Sequence, residues 1–324
     1  MNLKNYLDED LAEFVLKAYS EPHRHFHTFD HVENIINQLD KKDPNYLVLF
    51  YSSIFHDIVY DPTSNDNEEK SVEVMKEKIQ YQFDYNAIEK ISNIILGTKQ
   101  IYSEDPLVNY FNSLDRQILL KGNIRELIEY GQKIWKEYSF HSYSKFFDGH
   151  FELIHKLTGG YNYNNISSYQ EYAAGRTLKV GIYPGSFNPF HKGHEYIVNE
   201  SNKLFDKVII AKGMNPNKID VISEFNIKQI SIPGMKYFES VEFSGMLSDL
   251  VEHYELEGYD VTIVKGIRNY QDLDSEMTQR KFLNDFKKNL KYVFIPCSED
   301  LNYISSSSIR TLQKFGKDVS QYVT

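Results

Sequence analysis

The feature that most constrains this chain is a change in the period of its apolar residues near the middle. Up to about Leu157 they recur at three- and four-residue spacing, as in EDLAEFVLKAYS, FDHVENIINQL, YLVLFYSSIFHDIVY, AIEKISNIILGT, FNSLDRQILL, IRELIEYGQKIWKEYS and YSKFFDGHFELIHKL. That period puts one apolar stripe on a helix, so this half reads as all-α. From Thr177 the apolar residues gather in short β-rich runs, TLKVGIYPGSF, KVIIAKG, VTIVKGI and KYVFIP. Between them lie the helical stretches HKGHEYIVNESNKLF and QDLDSEMTQRKFLNDFKK. Strands alternating with helices predict a parallel sheet with helices on its faces. The stretch between the halves, TGGYNYNNISSYQEYAAGR, is rich in Gly, Asn, Ser and Tyr and reads as a connector. A multidomain chain follows, with an all-α domain over 1–172 and an α/β Rossmann-like parallel-sheet domain over 173–324. The length of 324 residues is itself more than one ordinary core serves.

In such sheets ligands bind at the carboxyl ends of the strands. Tyr183 to His194, YPGSFNPFHKGH, follows a strand and opens a helix. Pro184, Gly185 and Pro189 force a tight loop, completed by Ser186 and Phe187. His191 and His194 share one face at the helix start, and Gly193 leaves room for a phosphate to approach the backbone. The helix N-terminus adds free N–H groups and the positive end of a dipole. Two imidazole donors there suit the charge of a phosphoryl-transfer transition state. No nucleophilic side chain is needed, because the acceptor's own phosphate can attack.

Three further signals lie downstream, and each alone has a plainer reading. Lys265 and Arg268 flank Gly266 after the strand VTIV and can grip a di- or triphosphate, or form an ordinary solvated loop. Ser305, Ser306 and Ser307 precede a helix, with Arg310 on its first turn; they can hold phosphate oxygens or simply cap the helix. Lys218, in Asn215-Pro216-Asn217-Lys218, puts one cation on another loop at the expected rim.

The helical half carries its own constellation. His31 opens a helix in RHFHTFDHVENII, His56 and Asp57 are adjacent near the end of an apolar helix, and Asp115 lies on a later one. Two histidines and two carboxylates from three helices can enclose one divalent ion and leave room for water and a phosphate. Such an ion makes water a usable nucleophile near neutral pH. The rival reading is a buried His–Asp pair in a core. Glu68, Glu69 and Lys70 stand near the presumed cleft, and His27 and Arg24 are candidate supporting or phosphate contacts. His23, His25, His141, His150 and His155 read as surface or packing residues, Trp135 as core and Cys297 as structural.

A net charge of −10 argues against nucleic acid as a main partner, while a few local cations still allow a small anionic substrate. No apolar run approaches the ~18 residues of a bilayer span, so no membrane association is expected. With no signal-like start and a single cysteine, the expected location is cytoplasmic.

The order and spacing of the C-terminal motifs resemble the phosphopantetheine adenylyltransferase family of the H-x-G-H nucleotidyltransferases. The resemblance runs from Lys179 to Val323 through YPGSFNPFHKGH, the NPNK loop, KGIRNYQDLDSEM and YISSSSIR with its KDVSQYV tail. It implies ATP, with Mg²⁺, and 4'-phosphopantetheine as substrates, and dephospho-coenzyme A and pyrophosphate as products. By resemblance, His194 stabilises the transition state at the α-phosphate, Ser186 holds the acceptor or α-phosphate, and Lys218 positions the attacking phosphate. Arg268 contacts ATP or the acceptor phosphate, Glu276 sits near the nucleotide, and Ser305 to Ser307 hold the β- and γ-phosphates. Departures are Lys265 where arginine is usual, Asn188 for aspartate, His191 for threonine, and an irregular Ile219–Tyr237 region that should line the acceptor pocket. Nicotinamide mononucleotide is therefore an alternative acceptor. The N-terminal half resembles predicted metal-dependent HD-domain phosphohydrolases through RHFHTFDH, FHDIVYDPTSNDNEEKS, NSLD and the KEYSFHSYSKFFDGHFELIHKL segment, with Gln100 where that group often has histidine. This implies one divalent transition metal or Mg²⁺ on His31, His56, Asp57 and Asp115. The alternative is a non-catalytic binding or oligomerisation module. The transferase resemblance also implies a homo-oligomer.

Overall fold

The computed structural model describes residues 3–214 and 225–323. Lys218 and the rest of its NPNK loop lie outside the described residues. Two compact units emerge: Met1–Tyr138 with Tyr143–Gly175, and Ser139–Ser142 with Arg176–Thr324.

The first unit is helical: α1 (Glu9–Ala18), α2 (Phe29–Ile36), α3 (Tyr46–Phe55), α4 (Asn67–Ile79), α5 (Tyr85–Gly97), α6 (Pro106–Asp115), α7 (Gln117–Lys121), α8 (Ile124–Glu137), α9 (Tyr143–Thr158) and α10 (Tyr163–Ala174). Its main core gathers Phe50, Ile54 and Phe55 of α3 with Met75 of α4, Ile91 and Ile95 of α5 and Phe111 of α6. A second cluster joins Leu127 of α8, Phe151 and Ile154 of α9 and Ile166, Tyr169 and Ala173 of α10. The 158–176 stretch, expected as a connector, is thus largely helix α10, whose sparse apolar face packs on α8 and α9. The stretch FNSLDRQILL, expected as one helix, breaks at Arg116 into α6 and α7. The guanidinium of Arg116 is turned onto the carbonyls of Thr98, Gln100 and Ile101, so Asp115 ends its helix.

The second unit holds β1 (Lys179–Gly185), α11 (Lys192–Leu204), β2 (Lys207–Gly213), β3 (Asn226–Gln229), β4 (Glu239–Ser244), α12 (Leu247–Leu256), β5 (Asp260–Ile267), α13 (Tyr270–Phe286), β6 (Tyr292–Pro296) and α14 (Ser306–Lys314). The strand order is β3-β4-β2-β1-β5-β6. All pairings are parallel except β3 with β4, so the expected parallel sheet carries one antiparallel edge strand. That edge strand belongs to the region expected to be irregular. Alternation sends Val180, Ile182, Ile209 and Ile263 to one face with Leu250 of α12, and Tyr183, Val208, Ile210 and Val264 to the other with Ile197 of α11. From β1 the chain builds outward through β2 and β4 on one side and β5 and β6 on the other. The strand order therefore reverses between β1 and β5, and their carboxyl ends form the crevice where ligands bind in open α/β sheets. Among the described residues no helix is long and apolar enough to cross a membrane.

Candidate active sites

At the end of β1 the loop into α11 is held by an aromatic cluster. Phe187 sits at φ 45° yet is buried, with its ring 5.4 Å from Tyr183, 5.4 Å from Phe190 and edge-on to His194 at 5.1 Å. The left-handed backbone costs ~1–2 kcal/mol for a residue with a side chain, and ring burial offsets a cost of that size. A Cβ on Gly185 would lie 2.7 Å from that ring, so the close approach requires glycine.

His191 is the N-cap of α11 and His194 stands in its first turn. The Gly193 N–H donates to His191 Nδ1 at 3.1 Å, and the His191 N–H donates to His194 Nδ1 at 3.3 Å. Both Nδ1 atoms are acceptors, so each neutral ring carries its proton on Nε2. The rings stack with centroids 3.6 Å apart. Burial and the nearby Arg268 charge push His191 down to about 4; burial, His191 and Arg268 push His194 down to about 3. The pair is therefore neutral at physiological pH and offers two N–H donors at the positive end of a helix.

Lys265 and Arg268 stand at the end of β5, each paired with a carboxylate of α13. Lys265 Nζ lies 2.8 Å from Glu276, and Arg268 makes a fork to Asp272 through Nε at 2.8 Å and Nη2 at 3.0 Å. Asp272 was not among the sequence candidates, although its four-residue spacing from Arg268 is a helical ion-pair signal. Any phosphate bound by these cations must compete with the two carboxylates.

Gly266 lies between the two cations. A Cβ there would meet Ile197 Cγ1 of α11 at 2.8 Å, a branch atom held in the core. Gly266→Ala is expected to force β5 and α11 apart, costing about 1–3 kcal/mol and lowering the transfer rate. Thermal unfolding beside initial rates checks this, and an unchanged melting temperature would contradict the close packing.

The first turn of α14 is stitched to the β1–α11 loop. Ser306 Oγ donates to the Pro189 carbonyl at 2.9 Å, and Arg310 donates to the Asn188 carbonyl and to Ser307 Oγ, the latter at 3.1 Å. Ser305 is the N-cap, accepting from Ser308 N–H at 3.1 Å. The Tyr322 carbonyl accepts the Lys192 N–H at 3.0 Å, so the C-terminal tail closes one open amide of α11. One loop, one strand end and one helix start thereby gather Pro184 to His194, Lys265 to Arg268 and Ser305 to Arg310. Ser186 is exposed on the loop.

This sheet and loop set define a nucleotidyltransferase domain, and residues 182–312 match the cytidylyltransferase-like family. Over 153 residues the chain is 33% identical to a phosphopantetheine adenylyltransferase of Alkaliphilus metalliredigens (strain QYMF), covering 45% of this chain and 92% of that protein. It is 37% identical over 151 residues to the enzyme so named in Cytophaga hutchinsonii, with 45% and 96% covered. For Clostridium perfringens (strain SM101 / Type A) the identity is 32% over 149 residues, with 45% and 88% covered. Through its C-terminal half the chain belongs to the phosphopantetheine adenylyltransferase family.

In the helical unit His31, His56 and Asp115 bring one ligand atom each within 4.8 Å of one another. His31 Nε2 lies 2.9 Å from Asp115 Oδ1 and 3.4 Å from His56 Nε2. Asp57 Oδ2 lies 3.0 Å from His56 Nε2. His56 Nδ1 donates to the Ser53 carbonyl at 3.0 Å, a consequence of its place as the C-cap of α3, and this turns Nε2 into the cluster. Burial opposes a charge on His56, but the Asp57 and Asp115 carboxylates against the ring hold its pKa well above the ordinary value. Burial would likewise raise Asp57 and Asp115, but His56 and His27 hold Asp57, and His31 and His56 hold Asp115, below the usual carboxylate range. Three of the four expected ligands, His31, His56 and Asp115, thus form one group with the donor set and the fixed imidazole that suit a divalent ion, while Asp57 stands against His56 outside that group.

Arg24 is buried and gives its N–H groups to Glu21 and to the carbonyls of His27, Asp57 and Ile58, so it is not placed to meet a phosphate. Glu68 and Glu69 both pair with Lys99, and Lys70 pairs with Asp66. Trp135 is core, as expected.

Proposed function

We propose that the C-terminal domain joins the AMP part of ATP to 4'-phosphopantetheine, giving dephospho-coenzyme A and pyrophosphate. The observation that carries this reading is the neutral, backbone-locked His191–His194 pair at a helix N-terminus, in a domain covering nearly the whole length of phosphopantetheine adenylyltransferases. An acceptor phosphate oxygen attacks the α-phosphorus, the bond to the β-phosphate oxygen breaks, and pyrophosphate leaves. His194 and His191 donate from Nε2 to the oxygens that gain charge. Lys265 and Arg268 exchange their carboxylates for phosphate, with Glu276 left beside the nucleotide. Ser305, Ser306, Ser307 and the open amides of α14 take the β- and γ-phosphates. ATP enters as its Mg²⁺ complex, in which the ion would neutralise charge on the leaving pyrophosphate.

The helical domain is, in this reading, a metal-dependent phosphohydrolase of the HD type. His31, His56, Asp57 and Asp115 hold one divalent ion, which supplies an activated water and charge neutralisation when bound. The chain is then bifunctional.

Incubating the chain with Mg-ATP and either 4'-phosphopantetheine or nicotinamide mononucleotide, and following pyrophosphate, tests the transferase. Release with phosphopantetheine alone is expected. Release only with the mononucleotide would keep the chemistry and overturn the acceptor, and release with neither would overturn both.

A further inference from the structure

Glu137, at the end of α8, is 1% exposed. A carboxylate at that depth costs several kcal/mol unless its lone pairs are met. Oε1 accepts the backbone N–H groups of His25 at 2.6 Å, Phe26 at 2.7 Å and His27 at 3.0 Å. Oε2 accepts from His27 Nδ1 at 2.7 Å and from the Tyr60 hydroxyl at 2.7 Å. These donors come from the two segments that carry the metal cluster. Residues 25–27 lead into α2 and His31, and Tyr60 follows His56 and Asp57 out of α3. One carboxylate therefore ties both ligand-bearing segments to α8.

Arg24 makes the matching tie with opposite charge, from Nη1 to the carbonyls of Asp57 at 2.7 Å and His27 at 3.2 Å. Packing alone would be served as well by apolar side chains, without the desolvation cost. What the two charges add is a fixed separation between segments. Glu137 also fixes a ring: with Nδ1–H held by Oε2, His27 keeps Nε2 without a hydrogen-bond partner among the described residues, its centroid 6.0 Å from His31 and 4.3 Å from Tyr60. A carboxylate behind an imidazole is the arrangement that sets tautomer and orientation at metal sites.

We propose that Glu137 is a positioning residue of the N-terminal site, setting the separation of His31 from His56–Asp57 and holding His27 beside the cluster with Nε2 open. The inference rests on the reading of that cluster as a metal site. Glu137→Gln separates its parts. The amide oxygen can still accept the three backbone N–H groups, but the NH₂ cannot accept from His27 or Tyr60. In the full chain freed of metal, long-range imidazole ¹⁵N NMR is expected to show His27 leaving its Nδ1–H tautomer and the His31 and His56 signals moving with it. Unmoved His31 and His56 signals would overturn the proposal.

Calorimetric titration with Co²⁺ is the second arm. Glu137→Gln should weaken binding by at least about tenfold, and Tyr60→Phe, which removes one bond and keeps the ring, by less in the same direction. Wild-type affinity in both variants would overturn the proposal while leaving the metal reading intact. No binding by the wild-type chain would overturn the metal reading instead, and the NMR arm would then decide the role of Glu137. If Glu137→Gln fails to fold, Tyr60→Phe carries both arms.

Discussion

His194→Ala is expected to lower kcat for nucleotidyl transfer by about 10²–10³-fold, with a much smaller change in KM for ATP. The ring does not carry the fold: its Nδ1 accepts one long bond of 3.3 Å from the His191 amide, and its body fills a niche between Phe187 and Phe190. Its open atom is Nε2, at a helix N-terminus, where charge grows only in the transition state. A loss in kcat without a matching change in KM separates this role from ground-state phosphate binding. The pH dependence is a second check. His191 and His194 are held down to about 4 and about 3, against 6.5 for an ordinary histidine. Their N–H donors therefore stay neutral, and the acid limb of the rate should not fall near 6.5. The sign for stability follows. Between those depressed values and 6.5 the unfolded chain binds protons that the folded one refuses. Their contribution to stability is full above 6.5 and declines as pH falls through that window. A rate in His194→Ala close to wild type would reduce the residue to a capping element.

What sequence could and could not disclose divides along the range of the interactions. The β1 loop was legible because its logic is local: proline and glycine fix the turn, and three-residue spacing puts both histidines on one face. The short apolar, β-rich runs of β1, β2, β5 and β6 were legible for the same reason. β4 was not, because ESVEFS holds only two apolar residues, Val241 and Phe243, and β3 was not, because NIKQ is a four-residue edge. α4 was hidden by its charge, with Val72, Val74, Met75 and Ile79 as its apolar anchors. α10 carries Ile166, Tyr169 and Ala173 at helical spacing, but asparagine and serine dilute them. The candidate metal ligands could be listed from motif order, while the residues packed behind them could not. Glu137 meets His25, Phe26 and His27 across more than a hundred residues, and nothing in KIWKEYS marks it. Arg24 could be read as a supporting or a phosphate contact, because its four carbonyl and carboxylate partners are invisible in one dimension. Asp272 was within reach, since its spacing from Arg268 is a local signal.

His56→Ala is expected to remove divalent-ion binding from the helical domain and, with it, any ion-dependent gain in stability. His56 is 2% exposed and lies between two carboxylates, 3.0 Å from Asp57 and 3.6 Å from Asp115. Without an ion, its proton is the charge that balances them. A bound ion takes over that balance and releases the proton, so affinity should fall as pH drops. An ion that binds only the folded chain stabilises it by about 2.7 kcal/mol at a hundred times its Kd. Titrating Co²⁺ or Mn²⁺ into chelator-treated protein should therefore raise the melting temperature of this unit by several degrees, roughly as that energy divided by the unfolding entropy. Excess chelator should reverse the shift. In His56→Ala the same titration should give none, and the starting melting temperature should be lower, because half-buried Asp57 has lost its His56 contact and Asp115 keeps only His31. The outcomes separate the readings cleanly. A shift in the wild-type chain that vanishes in the variant assigns the ion to this cluster. A shift that survives places the ion elsewhere. No shift in the wild-type chain, with a destabilised variant, would make His56, Asp57 and Asp115 a buried charge network that holds α3 to α6 and would end the hydrolase proposal.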